Sequence, residues 1–501
     1  MNTKQLRQKI LDLAIRGKLV PQNPDDEPAS VLLERIRAEK ERQIKEGKIK
    51  RGKQDRATTV KPHYANVPFP LPAGWAWCRF SQIATFAGGK TPPTSNRNLW
   101  DGTINWATSK DMKSKYINST ITKISDSGAK QMQFFQPKTL LMVVRSGILR
   151  HTFPIAILRQ ESTVNQDIKT ASFNFPDMCE FVYTYLLATQ ESILNQYAKS
   201  GTTVESINVD ELKEILIPIP PLAEQRRIVA AVESAFTLID EIEHNKADLQ
   251  SAVAAAKRKI LSLAVAGRLV PQDPGDEPAS ALLERIRAGR EALAKTAKPK
   301  RAATVPAAKQ KPDKPHYQKL PNGWVDCILF EIATIIRGIT FPAIAKVNEP
   351  LPNTVRCLTT GSVQTKHNTL SDVFVDKSFL KNDKQWLQQK DIVMSSANST
   401  ELVGKSFIWD KKDQATFGGF LTVIRCNKFV NSDYIGLVLL HLWKSGAFVF
   451  ASTQTTNIAN INNQVLATTQ IVIPPLAEQQ RIVITIETIF EQLDGIAATL
   501  V

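Results

Sequence analysis

The tripeptide Gly404-Lys405-Ser406 ends as a nucleotide-phosphate loop ends, but the glycine such a loop needs five residues earlier is Ser399. Without that glycine the backbone N–H groups cannot close around a phosphate. The acidic run Pro24-Asp25-Asp26-Glu27 has the residue types of a nuclease carboxylate cluster. It lies in a proline-rich turn that recurs later in the chain, with no lysine following at a useful spacing, and reads as a structural turn. Six histidines form no HExxH pair and no zinc spacing, and Cys78, Cys179, Cys327, Cys357 and Cys426 form no CxxC pair. GxGxxG is absent, and so is any NPPY-like or DPPY-like tetrapeptide of the kind that positions an exocyclic amine for methyl transfer. The expectation is a binder with no catalytic residues and no metal ligands.

Charge says what is bound. The 501 residues carry 64 Lys+Arg against 48 Asp+Glu, a net +16. Arg35–Lys61 contributes +7 and Arg285–Lys314 contributes +8, so the remainder of the chain is nearly neutral. These segments read as self-repelling linkers that also add sequence-independent attraction to phosphates. Hydrophobic residues at 43% and charged residues at 22% suit a soluble globular chain of two to four domains. No apolar run approaches the ~20 residues of a membrane span. The polar start MNTKQLRQK and the scattered cysteines suggest a reducing, cytoplasmic setting. Nucleic acid is the leading partner class for such a basic protein.

An internal repeat sets the architecture. KILDLAIRGKLVPQNPDDEPASVLLERIRA (9–38) matches KILSLAVAGRLVPQDPGDEPASALLERIRA (259–288) at 23 of 30 positions, too many for chance. Looser copies follow at KPHY (61–64 and 314–317), LPAGW and LPNGW (71–75 and 320–324), and IAT (83–85 and 332–334). PPLAEQRRIVAAVESAFTLID (220–240) matches PPLAEQQRIVITIETIFEQLD (474–494). Mid-chain, the PPLAEQ segment runs straight into the KIL…LVPQ segment, whereas at the ends the two are split. The chain therefore reads as half-connector, domain, connector, domain, half-connector, a circular repeat with pseudo-twofold character.

The central connector has no internal Pro or Gly between Pro221 and Ala266 and predicts one helix of about 46 residues, roughly 70 Å long. Val229, Val232, Phe236, Ile239, Ile242, Leu249, Val253, Ala256, Ile260 and Leu263 form a stripe of mostly three-four steps, which is coiled-coil spacing with a discontinuity. A helix that long needs helical partners. The split copy offers one over about 3–16 and another from Pro475, running antiparallel.

Each insert begins at KPHY…LPxGW, with Trp75 and Trp324 three residues before Cys78 and Cys327. Strand-like pieces follow at 139–144 and 154–158, and at 391–396 and 420–425, with a late helix at 181–200 and at 432–451. The expected fold class is α+β: two α/β-mixed domains separated by long helices forming an antiparallel coiled coil. The cysteines read as small core residues.

These motifs resemble the specificity (S) subunit of type I restriction-modification enzymes. PPLAEQRRIV (220–229), PPLAEQQRIV (474–483) and RLVPQDPGDEPASALLERIRA (268–288) are similar to its conserved helical regions. GGKTPPTSNRNLWDGTINWATSKDM (88–112), RSGILRH (145–151) and STVNQDIKT (162–170) resemble one class of target-recognition domain. SSANSTELVGKS (395–406) and TFGGFLTVIR (416–425) resemble another. The implied boundaries are 1–40 and 474–501 for the distal helical halves and 41–63 and 291–315 for basic linkers. Residues 64–219 and 316–473 would be the recognition domains, and 220–290 the central helical region. The resemblance implies a non-catalytic, cytoplasmic subunit that reads an asymmetric bipartite site on double-stranded DNA. It also implies docking of two methyltransferase (M) and two restriction (R) subunits, with S-adenosylmethionine, ATP and Mg²⁺ used by those partners and no cofactor bound by this chain. A coiled-coil scaffold whose inserts bind proteins is the alternative.

Base readout needs paired donors and acceptors, such as Arg toward guanine or Asn toward adenine. The candidates are Lys90, Thr91, Asn96, Arg97, Lys110, Arg145 and Arg150 in the first insert, and Ser396, Asn398, Lys405 and Thr416 in the second. Trp100 and Trp106 read as packing residues, and Gly88, Gly89, Gly418 and Gly419 as sites of tight turns or close backbone approach. Leu222, Ile228 and Leu476 are the candidate M-subunit contacts, on the strength of the resemblance.

Overall fold

A computed structural model describes residues 2–48, 67–130, 132–199, 204–296, 320–364, 366–454 and 458–499, so both KPHY copies and most of the two basic segments lie outside the described residues. The chain forms two compact units, Met1–Asn245 and Lys246–Val501.

In the first unit, helix α1 (Thr3–Ile15) starts where Asn2 Oδ1 accepts a bond from the Gln5 N–H at 3.1 Å. It ends at Gly17, whose φ of 64° allows the Lys18 N–H to reach the Leu13 carbonyl at 2.9 Å. A Cβ on Gly17 would stand 2.5 Å from Pro72, so this stop also seats the helix on the LPAGW segment. The repeat does the same: Gly267 has φ 66°, and a Cβ there would stand 2.5 Å from Pro321. Helix α2 (Ala29–Lys45) buries Ala29, Leu32, Leu33 and Ile36 on the first insert.

The first insert is built on strands β1 (Ala84–Gly88), β2 (Leu140–Val143), β3 (Ile155–Leu158) and β4 (Ile168–Phe173). They form a sheet ordered β1-β4-β2-β3 and completed by Tyr116–Ile117, antiparallel except for the last, parallel pairing. Leu140 and Met142 face one core and Leu141 and Val143 the other, so β2 is apolar on both faces. A second sheet pairs Trp100–Ala107 with Lys123–Ile124 and, in parallel, with Thr163–Val164. Helix α3 (Met178–Ala188) covers the first sheet. The single helix expected over 181–200 is two pieces. It breaks at Thr189, whose hydroxyl donates to the Tyr185 carbonyl at 2.8 Å.

Helix α4 (Leu222–Val265) is the long connector, 44 residues without interruption. Leu222–Asn245 belongs to the first unit and Lys246–Val265 to the second. In the first unit α1 runs antiparallel to it: Leu11 and Ala14 pack with Ile228 and Val232, while Arg7 pairs with Asp240 at 2.5 Å. The expected seam is corrected in its middle. Ile242 and Leu249 are 45% and 36% exposed, so the apolar stripe is not buried continuously along the helix.

The second unit repeats the frame with helix α5 (Ala279–Thr296), strands β5 (Ala333–Arg337), β6 (Ile392–Ser395), β7 (Ser406–Ile408) and β8 (Leu421–Cys426), and helix α6 (Ser432–Lys444). The sheet order is β5-β8-β6-β7, antiparallel throughout. A second sheet pairs Thr354–Leu358 with Val373–Asp376 and, in parallel, with Ala415–Phe417, as in the first unit. The helix expected over 432–451 stops at Ser445 and restarts after Gly446, whose φ is 79°. Helix α7 (Leu476–Ala498) lies antiparallel to the second half of α4, with Lys257 and Asp494 2.6 Å apart and Leu261 packed toward Val483.

Each insert is clamped where it leaves and rejoins the frame. Ala76–Arg79 pairs antiparallel with Leu216–Ile219, and Val325–Ile328 with Gln470–Ile473. Cys78 and Cys327 lie in these pairs, 1% and 6% exposed. Burial pushes both thiols up, Cys327 to about 12, so they pack as small apolar side chains. No helix among the described residues is long and apolar enough to cross a membrane.

Candidate nucleic-acid interface

In the first unit the predicted readers gather at one end of the main sheet. The Lys90 N–H donates to the Val164 carbonyl at 3.1 Å, and the Thr91 hydroxyl donates to the Gln166 side chain. The Asn165 N–H reaches Ala107, just before the turn that carries Lys110, at 3.0 Å. The Val144 N–H reaches Asp167 at 2.8 Å, which brings Arg145 and the 147–150 turn to the same rim. Close backbone approach makes this possible: a Cβ on Gly89 would lie 1.8 Å from the Val164 oxygen. The rim thus presents Lys90, Thr91, Lys110, Arg145 and Arg150, all exposed.

Their side chains are not equally available. The Arg150 Nε donates to Glu205 and holds that carboxyl below its ordinary range. Asn96 and Arg97 sit on a neighbouring turn, where Asn96 Oδ1 accepts from the Asn98 N–H at 3.2 Å and Leu99 bonds to Ser125. The indoles of Trp106 and Trp100 donate to the Lys90 and Pro93 carbonyls at 3.0 and 3.2 Å, and their rings meet edge to face at 5.0 Å. They therefore hold the 90–93 segment in place.

In the second unit the candidate side chains bond within the fold. Thr416 is fully buried and its hydroxyl donates to Gln385 at 2.9 Å. Ser396 is buried and its hydroxyl donates to the Phe420 carbonyl at 3.1 Å. Neither hydroxyl faces a ligand, because each satisfies a backbone oxygen. Asn398 is half-buried in a short strand, Ala397–Asn398, just beyond β6, with its Nδ2 donating to Ser395 at 3.1 Å. Lys405 turns away toward Gln364 and the Trp443 ring, and burial followed by the Lys444 charge pulls its pKa down.

Sequence reasoning missed four rim residues: Gln166, Lys169, Arg337 and Phe420. Lys169 pairs across the ladder with Gly88, and Arg337 with Thr422. Counted from the IAT segments, these are the same rung of the sheet, with the cation moved from one strand to its neighbour. Burial, then the Lys213 charge, lowers the Lys169 pKa. The repeated IAT could have fixed the register of β1 and β5, but the partner strands lie roughly ninety residues on and carry no matching motif.

Of the expected partner contacts, Ile228 is 0% exposed and packs between α1 and the Trp75 segment, so it presents no surface. Leu222 and Leu476 are half-buried at the starts of α4 and α7. Each start is fixed by the same bonds. The Trp75 indole donates to Glu224 at 3.0 Å, and the Trp324 indole to Glu478 at 3.0 Å. Arg227 pairs with Asp26, and Arg481 with Asp276, each at 2.6 Å. The acidic run at 24–27 therefore serves the frame.

Residues 72–250 and 321–499 each match the family model described as the type I restriction modification DNA specificity domain. Among curated proteins, the chain is 27% identical to the type I restriction enzyme EcoEI specificity subunit of Escherichia coli, covering 99% of this chain and 90% of that one. It is 26% identical to the EcoAI specificity subunit of the same organism, covering 96% and 87%. A solved structure reported for complex assembly and conformational transition of a type I R-M system superposes with a TM-score of 0.56 at 18% identity, covering 86% of this chain and 94% of that one.

Proposed function

Because the chain belongs to the type I restriction-modification DNA specificity family, whose domain it carries twice, we propose that it reads a bipartite, asymmetric sequence on double-stranded DNA, one half through each insert. It is the recognition subunit of such a system and not its catalyst. One observation carries the bipartite reading. The two frames fix each helix start with the same bonds, Trp75 to Glu224 and Arg227 to Asp26 in one, Trp324 to Glu478 and Arg481 to Asp276 in the other, while the rims they hold differ: Lys90, Thr91, Gln166 and Arg145 in one, Asn398 and Phe420 in the other. Identical mounts with unlike readers suit two unlike half-sites held at a set spacing. Bases between the half-sites need only accept the required DNA shape.

On this reading two methyltransferase subunits dock on the helical frame and carry two restriction subunits, in the cytoplasm. S-adenosylmethionine serves adenine-N6 methylation on the former, and ATP with Mg²⁺ serves translocation and cleavage on the latter. This chain supplies sequence choice alone. Residues 64–219 form the first reader and 316–473 the second. Lys90, Thr91, Lys110, Arg145 and Arg150 supply donors to phosphates and base edges, with Asn96 and Arg97 beside them, and Asn398 acts in the second half-site.

The test is an exchange of residues 64–219 for the first insert of another family member, followed by mapping of N6-methyladenine across the host genome. One half of the methylated motif changes and the other stays. Change in both halves, or in neither, overturns the modular reading. A gel shift of the complex with its methyltransferase subunits on random and cognate duplexes separates this reading from a protein-binding scaffold, which would show no DNA preference.

A further inference from the structure

The main sheets of the two inserts can be laid on each other rung by rung. Val143 pairs with Ile168 in the first, and Ser395 with Leu421 in the second. The residue just before the central strand is therefore Asp167 in one and Phe420 in the other. The first unit reaches that strand through Asn165-Gln166-Asp167, and the second through Gly418-Gly419-Phe420. A polar tip in one unit corresponds to an aromatic tip in the other.

Phe420 is held firmly and yet left in water. The Leu421 N–H closes a tight turn on the Gly418 carbonyl at 2.8 Å, which places Gly419 and Phe420 at its centre. The Phe420 carbonyl accepts from the N–H groups of Ser396 and Ala397 at 3.0 and 3.2 Å and from the Ser396 hydroxyl at 3.1 Å. Gly338 lets its segment press against the turn, since a Cβ there would lie 2.1 Å from the Gly418 oxygen. The backbone is fixed on both sides, and Phe417 and Leu421 are fully buried, but Phe420 is 65% exposed. Folding alone favours the opposite, because burying a phenyl group stabilises and exposing one does not. The flanking residues are polar: Arg337 stands exposed on the adjoining rung, and Asn398 follows Ala397, the residue bonded to the Phe420 carbonyl.

We propose that Phe420 is a specificity-determining residue of the second half-site, where its ring makes apolar contact with a base. This rests on the DNA-reading function above and adds a chemistry to it. The first insert reads with hydrogen bonds and charge, whereas the second adds one apolar contact of the kind that suits a thymine methyl or an opened base step. A backbone already held by the turn suits that role, because the cost of ordering the main chain is met before binding.

The test uses the complex with its methyltransferase subunits and a duplex carrying the motif that the wild-type complex methylates. Phe420→Ala weakens cognate binding about 5- to 150-fold, the range of one base–aromatic contact, and Phe420→Leu weakens it less. Discrimination relaxes at one position of the second half-site and nowhere in the first. The slope of binding against salt stays unchanged, because the ring neutralises no phosphate. The melting temperature also holds, because the ring packs on little. Wild-type affinity and an unaltered motif in Phe420→Ala overturn the proposal, as does a loss of affinity that follows a loss of thermal stability. A wild-type complex that fails to prefer the methylated motif over a random duplex sinks the DNA-reading function itself, which keeps the two failures apart.

Discussion

The indole nitrogen of Trp324 lies 3.0 Å from Oε2 of Glu478, and this bond joins two motifs 154 positions apart. The first unit repeats it between Trp75 and Glu224 at 3.0 Å. LPxGW opens each insert and PPLAEQ follows it, so the bond fastens the two ends of an insert to the start of one frame helix. The other oxygen of each glutamate, Oε1, is buried without a hydrogen-bond partner. Both carboxyls therefore depend on a single donor, which makes the tryptophans more than apolar filler.

Phenylalanine in place of either tryptophan keeps most of the apolar packing and removes the donor. The remaining carboxylate would be buried and unpaired, a penalty of about 1–3 kcal/mol. Trp75→Phe and Trp324→Phe each lower the midpoint of chemical denaturation by the corresponding amount. A native-like near-ultraviolet spectrum with an unshifted midpoint would contradict this account.

The same burial predicts a pH dependence. Burial raises the pKa of Glu224 and of Glu478 above the ordinary 4.5, against the pull of the indole bond. The folded state then holds these protons to higher pH than the unfolded chain does. Their contribution is fully present below about pH 4.5, the unfolded value, and is lost as pH rises through the folded values. Glu224→Gln and Glu478→Gln cannot ionise. The stability difference between variant and wild type therefore shifts in the variant's favour as pH rises from about 4.5 and levels off above the folded pKa. Denaturant titrations of both proteins from pH 4 to 8 measure it, and parallel curves would contradict the prediction.

The frame was legible because its parts recur. Two copies of KIL…LVPQ and PPLAEQ marked the helices, and the Gly17 and Gly267 stops follow from left-handed backbone that glycine adopts without a Cβ penalty. The strands at 140–143 and 392–395 showed as apolar runs because both their faces are buried. Other features depend on partners distant in sequence. Thr416 and Ser396 look like readers by type, yet their hydroxyls go to backbone oxygens of turns distant in sequence, at Gln385 and Phe420. Ile228 read as a partner contact and Ile242 as part of the apolar stripe, but Ile228 lies buried under α1 and Ile242 is exposed. Lys169 and Arg337 occupy the same rung only once strand pairing is known. Type and periodicity say which residues can bury or bond, whereas tertiary pairing decides which ones do.

Gly89 and Gly338 offer a test of how the rims are set. A Cβ would lie 1.8 Å from the Val164 oxygen at the first and 2.1 Å from the Gly418 oxygen at the second. Both contacts are with backbone and cannot be relieved by a side-chain rotation. Gly89→Ala forces the 90–93 segment off Val164, and Gly338→Ala forces the 418–421 turn off its neighbour. Each costs about 1–3 kcal/mol as overpacking. In complexes that still fold, each relaxes sequence discrimination in its own half-site alone. Methylation mapping reads this directly, and unchanged motifs in both variants would contradict it.

A last prediction concerns how the first insert is fixed to its helix. Lys115 Nζ lies 2.6 Å from both Glu180 on α3 and Glu233 on α4, and the Tyr116 hydroxyl donates to the same two carboxylates at 3.0 and 3.1 Å. Burial pulls the Lys115 pKa down, but the bonds to Glu180 and Glu233 outweigh it and hold the lysine above its ordinary value. Lys115→Met keeps the apolar stem and removes the charge, leaving two carboxylates that face each other across the contact between insert and helix. Glu233 is half in water, so solvent relieves part of the repulsion, and the loss is about 1–3 kcal/mol, below that of a fully buried pair. Adding Glu233→Gln to Lys115→Met removes one of the opposed charges and restores part of the loss, because repulsion rather than missing packing causes it. If the double variant is no more stable than Lys115→Met, the lysine acts through its stem and the electrostatic account fails.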